Sequence, residues 1–383
     1  MFNASQLIEP VSMIVLTGGP CSGKSSSLAY LTEKLSNHGF MVFVIPETAT
    51  LITTSGIDRR KMDGPKQVVM YEEAILDLQL SFEEIYARAT ARIFPDRKKV
   101  VLLDRGIMDI MAFMAKEDFR EILKRRGLKE VALRDRYSGV VHLVTAADGA
   151  RDYYTAENNA ARTETPGEAV RIDRRIRESW LGHPQFRVID NRTDFEGKIR
   201  RTFAAISHIL GIPASLQPAR RFLVREVMED GLPSHKTIEI EQLYLRSKNP
   251  EEELRIRKRG QDGSYLYFLT RTRTAGTRID REELIGEQQY SHLKKLRDPK
   301  TEALEKERIC FLWNNQHFEL DRYRGRHEGL SILKVEPAEA AEAGTTIPLP
   351  PFIAVKRDVT AGPHYDERNM AMKRRGPSLG RDT

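Results

Sequence analysis

Cysteine and tryptophan are scarce, with two of each in 383 residues. Cys21 and Cys310 fall in opposite halves of the chain, which argues against a disulfide framework and makes a reducing compartment, the cytoplasm, the expected location. Long apolar runs are missing as well. None approaches the roughly 18 residues of a membrane-spanning helix, so a soluble protein is expected. The opening MFNASQLIEP lacks a basic stretch followed by an apolar one, so neither secretion nor organelle import is indicated. Neither sign of charge dominates: 62 Lys and Arg against 55 Asp and Glu leave a formal +7, which suits phosphate ligands, anionic lipid or nucleic acid alike.

The clearest signal present is VLTGGPCSGKSSSLAYL, from Val15. Gly18, Gly23, Lys24 and Ser25 satisfy G-x-x-x-x-G-K-S between an apolar strand pattern and a helical one, the context that a phosphate-binding P-loop requires. Glycines let backbone amides turn inward, Lys24 reaches the β and γ phosphates, and Ser25 is placed to ligate Mg²⁺. Gly18, Gly19, Cys21, Ser22, Gly23, Lys24, Ser25 and Ser26 are the expected nucleotide-binding residues, with Cys21 a small loop residue rather than a nucleophile.

Residues 13 to about 210 alternate short apolar runs (MIVL, MVFVIP, VVLLD, VVHLV, RVID) with helical patterns such as 66–93 and 195–210. That rhythm predicts a doubly wound α/β domain on a parallel sheet. Asp104 closes the VVLLD run, where a carboxylate that manages Mg²⁺ belongs; the alternative is a helix cap. Arg105 follows it and Asp109 comes one turn later. Glu47, in VIPETAT, would emerge at the same carboxyl edge of the sheet, either to handle a substrate hydroxyl or as a structural hydrogen-bond acceptor. An arginine-rich stretch between the fourth and fifth runs reads as a lid, in which Arg162, Arg171, Arg174 or Arg175 supplies a guanidinium to a transferring phosphoryl group. Glu47, Asp104, Arg105 and Arg162 are therefore the catalytic candidates.

GGPCSGKS, PETAT, LLDRG, NNAARTETPGEA and GHPQFRVIDN resemble the AAA-like P-loop domain shared by bacterial nicotinamide-riboside kinases and animal TRPL translocation defect proteins, which bind GTP. The likeness covers about residues 12 to 210. No N-K-x-D guanine-reading string occurs, so ATP and GTP both stay open as the cofactor alongside Mg²⁺.

Gly211, Pro213 and Pro218 interrupt this pattern, and beyond them the apolar period changes to two. The expected layout is an N-terminal arm at 1–12, a P-loop domain at 13–210, a linker at 211–216, an antiparallel β-barrel domain at 217–373, and a basic disordered tail at 374–383. RRFLV, EQLYL, LRIRKRG, YFLTRTR, TRIDREELI, EKERICF, FELDRYRG, LSILKVE and VKRDVTAGPHYDERNMA resemble, in order, the CYTH domain, the triphosphate tunnel fold of adenylate cyclases and thiamine triphosphatases. The resemblance implies a closed barrel lined by bases that grip phosphate and acids that hold a divalent metal. Period two sends Arg255 and Arg257, or Arg271 and Arg273, to one side together, and Lys306 and Arg308 repeat the spacing. Arg221 sits at the lysine of the family's E-x-E-x-K opening. These cations are the expected ligand-binding set, unless they are simply the solvated face of a sheet.

The departures from that family are informative. Gln217 and Ala219 stand where its opening glutamates should be, and Lys334 replaces the first acid of its last E-x-E; a shifted reading would use Glu239 and Glu241 instead. Asp280, Glu282, Glu319, Asp321 and Glu336 remain as lumen acids, with Asp321 and Glu336 as metal candidates beside Ser25 and Asp104 in the P-loop domain. Without the opening pair a metal that activates water is poorly held, so binding without triphosphatase turnover is expected. The resemblance implies a phosphorylated partner, polyphosphate or phosphoinositide, with peripheral membrane contact and a nucleotide-dependent role in traffic; no nucleic-acid partner is expected. The alternatives are a small-molecule, nucleoside-type kinase and a triphosphate hydrolase acting in the barrel.

Overall fold

Five of the apolar runs form β1 (Ser12–Thr17), β2 (Met41–Ile45), β3 (Lys99–Asp104), β4 (Gly139–Leu143) and β5 (Phe186–Ile189). All pair in parallel, in the order β2-β3-β1-β4-β5. The three central strands are buried along almost their whole length, which is why they read as unbroken Val, Ile and Leu rather than as alternating patterns. In this computed structural model the described residues are 11–150, 165–212, 219–247, 249, 251–273, 279–335 and 347–373. The chain divides into two units, Met1–Ala214 and Ser215–Thr383.

Helices cover the first sheet: α1 (Lys24–Asn37), α2 (Thr48–Thr54), α3 (Pro65–Ile93), α4 (Lys116–Arg126), α5 (Glu130–Arg134), α6 (Pro166–Ser179) and α7 (Phe195–Ile209). Their starts follow local chemistry. Thr165 and Glu168 form a reciprocal capping box ahead of α6, and Asp194 accepts the Gly197 amide at 2.8 Å to begin α7. With β3 and β4 on either side of β1, the strand order reverses at β1, so ligand chemistry is expected at the carboxyl ends of these three strands. No helix among the described residues is long and apolar enough to cross a membrane.

The second unit is an antiparallel sheet of nine strands: β6 (Arg220–Val227), β7 (His235–Leu245), β8 (Glu252–Gln261), β9 (Ser264–Arg273), β10 (Ile279–Ile285), β11 (Leu304–Trp313), β12 (Gln316–Tyr323), β13 (Ser331–Val335) and β14 (Ile353–Asp358). Two short helices, α8 (Glu287–Lys294) and α9 (Glu367–Ala371), pack on it. The order is β10-β9-β8-β7-β11-β12-β13-β6-β14, and β10 does not pair with β14. The expected closed barrel is therefore corrected to an open sheet. Its edges carry exposed charge, Glu282 and Glu283 on β10 and Lys356, Arg357 and Asp358 on β14, a composition that disfavours further strand pairing.

Register divides the side chains between two faces. One face is apolar and covered: Phe311, Phe318, Leu320 and Leu333 pack with Phe352, while Leu243, Ile256 and Leu269 pack with Tyr290 of α8. The other face carries the charges, with its apolar end, Tyr244, Tyr323 and Ile332, closed by Met370 and Ala371 of α9.

Candidate functional site

The P-loop turn runs from the end of β1 into α1. Gly18 and Gly23 have φ of 149° and 89°, and Cys21 also enters the left-handed region at 55°. A Cβ on Gly18 would lie 2.2 Å from the Leu143 carbonyl oxygen, and one on Gly23 would lie 2.6 Å from Cε2 of Phe195, so both positions require glycine. Thr145 Oγ1 donates to the Pro20 carbonyl at 2.5 Å and the Ala146 amide donates to Cys21 O at 3.2 Å, stitching the loop to the exit of β4. Gly23 provides no side-chain cap for α1, leaving its first amides available to an anion. Ser25 and Ser26 are exposed at that end, whereas Ser22 is buried with its Oγ unpaired. Lys24 folds back to donate to Gly18 O at 3.3 Å, and burial together with the nearby Arg105 pushes its ammonium pKa down.

Asp104 ends β3 beside this lysine. Burial raises its carboxyl above the usual range, and its Oδ1 is buried with no hydrogen-bond partner. An orphaned carboxylate oxygen and the exposed Ser25 hydroxyl fit a hydrated Mg²⁺, whose preference is for hard oxygen donors.

Arg105 organises the opposite side of the site. Its backbone is left-handed, with φ 74°. Its guanidinium donates to Glu47 Oε1, to Gly18 O at 3.2 Å and to Asp109 Oδ2 at 3.3 Å. Asp109 is fixed by Thr17 Oγ1 and Trp180 Nε1, each at 2.6 Å, so it orients Arg105 instead of facing a ligand. Burial works against the Glu47 charge, but Arg105 and Lys24 overcome it and hold that carboxyl at about 2. Three further residues, not anticipated from the sequence, join them. Arg59 and Arg105 lie 5.8 and 5.7 Å from the Phe113 ring centre, and Arg59 donates to Glu72 Oε1 at 2.8 Å. Burial pushes Glu72 up to about 7 despite both arginines. The one sequence signal for Glu72 is an acid within the apolar stripe of α3 beside Tyr71, Ile75 and Leu76.

The lid expectation is corrected over α6. Ala169, Asp173, Ile176 and Arg177 recur at three- and four-residue spacing and are all buried, which makes α6 a packed helix. Asp173 Oδ1 accepts the amides of Gly19 at 2.9 Å and Thr145 at 3.1 Å, and His142 Nε2 donates to it at 3.0 Å. Burial opposes its charge, but His142 and Arg177 hold the carboxyl at about 2. Arg171 and Arg174 are exposed, Arg175 donates to Met114 O at 2.8 Å, and Arg162 lies outside the described residues.

In the second unit the register brings Arg221, Arg255, Arg257, Lys306 and Arg308 to the charged face. Arg271 and Arg273 do not join them. Arg255 pairs with Thr270 and Glu253 with Thr272, so the threonines of TRTR take this face, and the arginines occupy the alternate register positions, with Arg271 exposed. Glu239 and Glu241 also lie on the opposite face, bonded to Tyr265 and Lys294, and supply no opening pair.

Acids engage several of these cations. Arg308 donates to Asp321 Oδ1 at 2.6 Å and Oδ2 at 2.8 Å, and Lys306 donates to Asp321 Oδ2 at 2.7 Å. Arg308 also meets Glu319 at 2.8 Å and Arg257 bonds Glu282. Arg221 is held by the carbonyls of Tyr365 and Thr360 at 2.9 and 3.0 Å. Burial opposes the Glu319 charge, yet Arg308 and Lys334 keep its carboxyl well below the usual range. Both oxygens of Asp321 are thus committed to cations rather than to a metal, and Glu336 and Gln217 lie outside the described residues. No group of three or more metal-capable His, Cys, Asp or Glu occurs among the described residues.

A family model described as an AAA domain matches residues 13–198. Among solved structures, the hypothetical protein NE1496 is 26% identical over 40% of this chain and 96% of its own, at a TM-score of 0.32, and the inorganic triphosphatase NE1496 is 26% identical over 40% of this chain and 93% of its own, at a TM-score of 0.32. The PH1819 protein of Pyrococcus horikoshii OT3 is 19% identical over 32% of this chain and 78% of its own, at a TM-score of 0.26. No curated protein matches the chain.

Proposed function

We propose that the first unit binds ATP or GTP as its Mg²⁺ complex and that the second binds a phosphorylated anion without hydrolysing it. The observation that carries this reading is the glycine turn at Gly18–Gly23, whose geometry excludes a Cβ at Gly18 and Gly23 and which opens onto the uncapped start of α1 with Lys24 bonded to the loop. Ser25 and Asp104 would hold the Mg²⁺, which supplies charge neutralisation to the phosphates. Polyphosphate and phosphoinositide are the ligand classes proposed for the second unit. A nucleotide-dependent role in membrane traffic, with peripheral membrane contact, is the physiological setting that the likeness to the TRPL translocation defect proteins supports.

A nucleoside-type kinase is the second reading, and the site's own electrostatics weigh against its simplest form. A general base works best with a pKa near the operating pH, and Glu47 at about 2 is far from that. For a hydrolase in the second unit, Asp321 is already committed to Lys306 and Arg308. ³¹P NMR of the full chain with Mg-ATP and Mg-GTP, with and without nucleoside and phosphoinositide acceptors, separates the readings. Binding with slow or no turnover is expected; rapid transfer to an acceptor would replace this proposal by the kinase.

A further inference from the structure

One acid that meets two cations of the charged face comes from outside the sheet strands. Glu367, the first residue of α9, accepts from Lys306 Nζ on Oε1, and on Oε2 accepts from Gln242 Nε2 at 3.0 Å with Arg255 NH1 at 3.9 Å. An ammonium, a guanidinium and an amide N–H converging on one small oxyanion is the donor set that a phosphate group would use. We propose that Glu367 is the internal occupant of the anion site: its carboxylate stands where a phosphate of a metal-free oligophosphate would sit, and the ligand binds by displacing it. This rests on the proposal that the second unit binds a phosphorylated anion.

The anchoring of α9 indicates what moves. Met370 and Ala371 are buried against Tyr244, Leu304 and Tyr323, and the Met370 carbonyl accepts from Arg326 at 2.6 Å and from His327 at 2.9 Å. Asp366 caps the helix through the Arg368 amide at 3.0 Å. The helix is therefore held, whereas the Glu367 side chain is 25% exposed and can swing out by side-chain rotation alone. Lys306 would keep Asp321 as a partner after the swing, so the exchange replaces one carboxylate by one phosphate without stranding a buried charge. Because both Glu367 Oε1 and Asp321 Oδ2 contact Lys306 Nζ, a rival role for Glu367 is to help hold a divalent cation that arrives with the ligand.

The test is calorimetric titration of the full-length chain with sodium tripolyphosphate in EDTA, in a Lys24→Ala background that removes the P-loop lysine. Glu367→Gln preserves size and should bind tripolyphosphate about tenfold more tightly or better, since a charged competitor has been removed. Glu367→Ala should do the same, and thermal melts confirm that each variant is folded. Unchanged or weaker binding in a folded variant overturns the inference alone, as does Mg²⁺-dependent binding that needs Glu367. Absence of binding in all variants, or binding indifferent to Lys306→Met, overturns the anion-site proposal along with it.

Discussion

Asp173 Oδ1 accepts the Gly19 amide at 2.9 Å across 154 residues of sequence, so the shape of the phosphate loop depends on a helix far along the chain. Asp173→Ala would leave His142 and Arg177 without their buried carboxylate partner. We expect a loss of about 3–5 kcal/mol in urea unfolding, the usual cost of breaking a buried pair, together with weaker nucleotide binding. With a folded-state value of about 2 against an ordinary 3.8, Asp173 contributes stability above about pH 4 that disappears as the pH falls toward 2. Asp173→Asn should flatten that acid limb.

Glu72 has the opposite sign. Its pKa is raised from 4.5 to about 7, so the folded chain binds more protons than the unfolded chain in that interval. Stability should fall as the pH rises from about 4.5 through 7, by at most about 3 kcal/mol from this group. Glu72→Gln should remove this dependence, so the difference in Tm between variant and wild type should shift in the variant's favour between pH 5 and 8. A constant difference would show that Arg59 fully compensates the charge.

At Lys24 the prediction concerns affinity. Lys24→Ala should weaken Mg-nucleotide binding by about tenfold or more, a charged hydrogen bond being worth about 1.5–3 kcal/mol. Unchanged affinity in calorimetry, with the variant folded, would end the proposed role of the loop.

Two arginines of the second unit should behave oppositely. Arg308 is 7% exposed and serves both Asp321 and Glu319, so Arg308→Ala should cost about 3–5 kcal/mol by leaving buried carboxylates uncompensated. Arg271→Ala, on the other face and exposed, should change stability by no more than about 0.5 kcal/mol and leave tripolyphosphate binding intact.

What the sequence reveals follows from how each element is buried. The five parallel strands are legible because burial on both faces demands continuous Val, Ile and Leu, and the P-loop because its glycines are required by backbone geometry. Arg271 is misplaced because TRTR offers two equivalent frames, and only pairing with β8 selects the one that turns Thr270 and Thr272 to the charged face. Arg59, Glu72 and Phe113 have no motif, since they meet through the folding of α3 against the carboxyl end of β3. Glu367 escapes a strand-based search because its helix reaches the charged face from beyond the last strand.

The open edges of the nine-stranded sheet have a colloidal consequence. A strand from another molecule that docked on β10 would have to desolvate Glu282 and Glu283, and one docking on β14 would have to do so with Lys356 and Arg357. That protection is electrostatic at long range and weakens as the Debye length shrinks from about 10 Å at 0.1 M salt to about 3 Å at 1 M. Concentrated stocks should therefore stay dispersed in dilute buffer, and high salt, which often helps basic proteins stay in solution, is the condition under which self-association should first appear in light scattering.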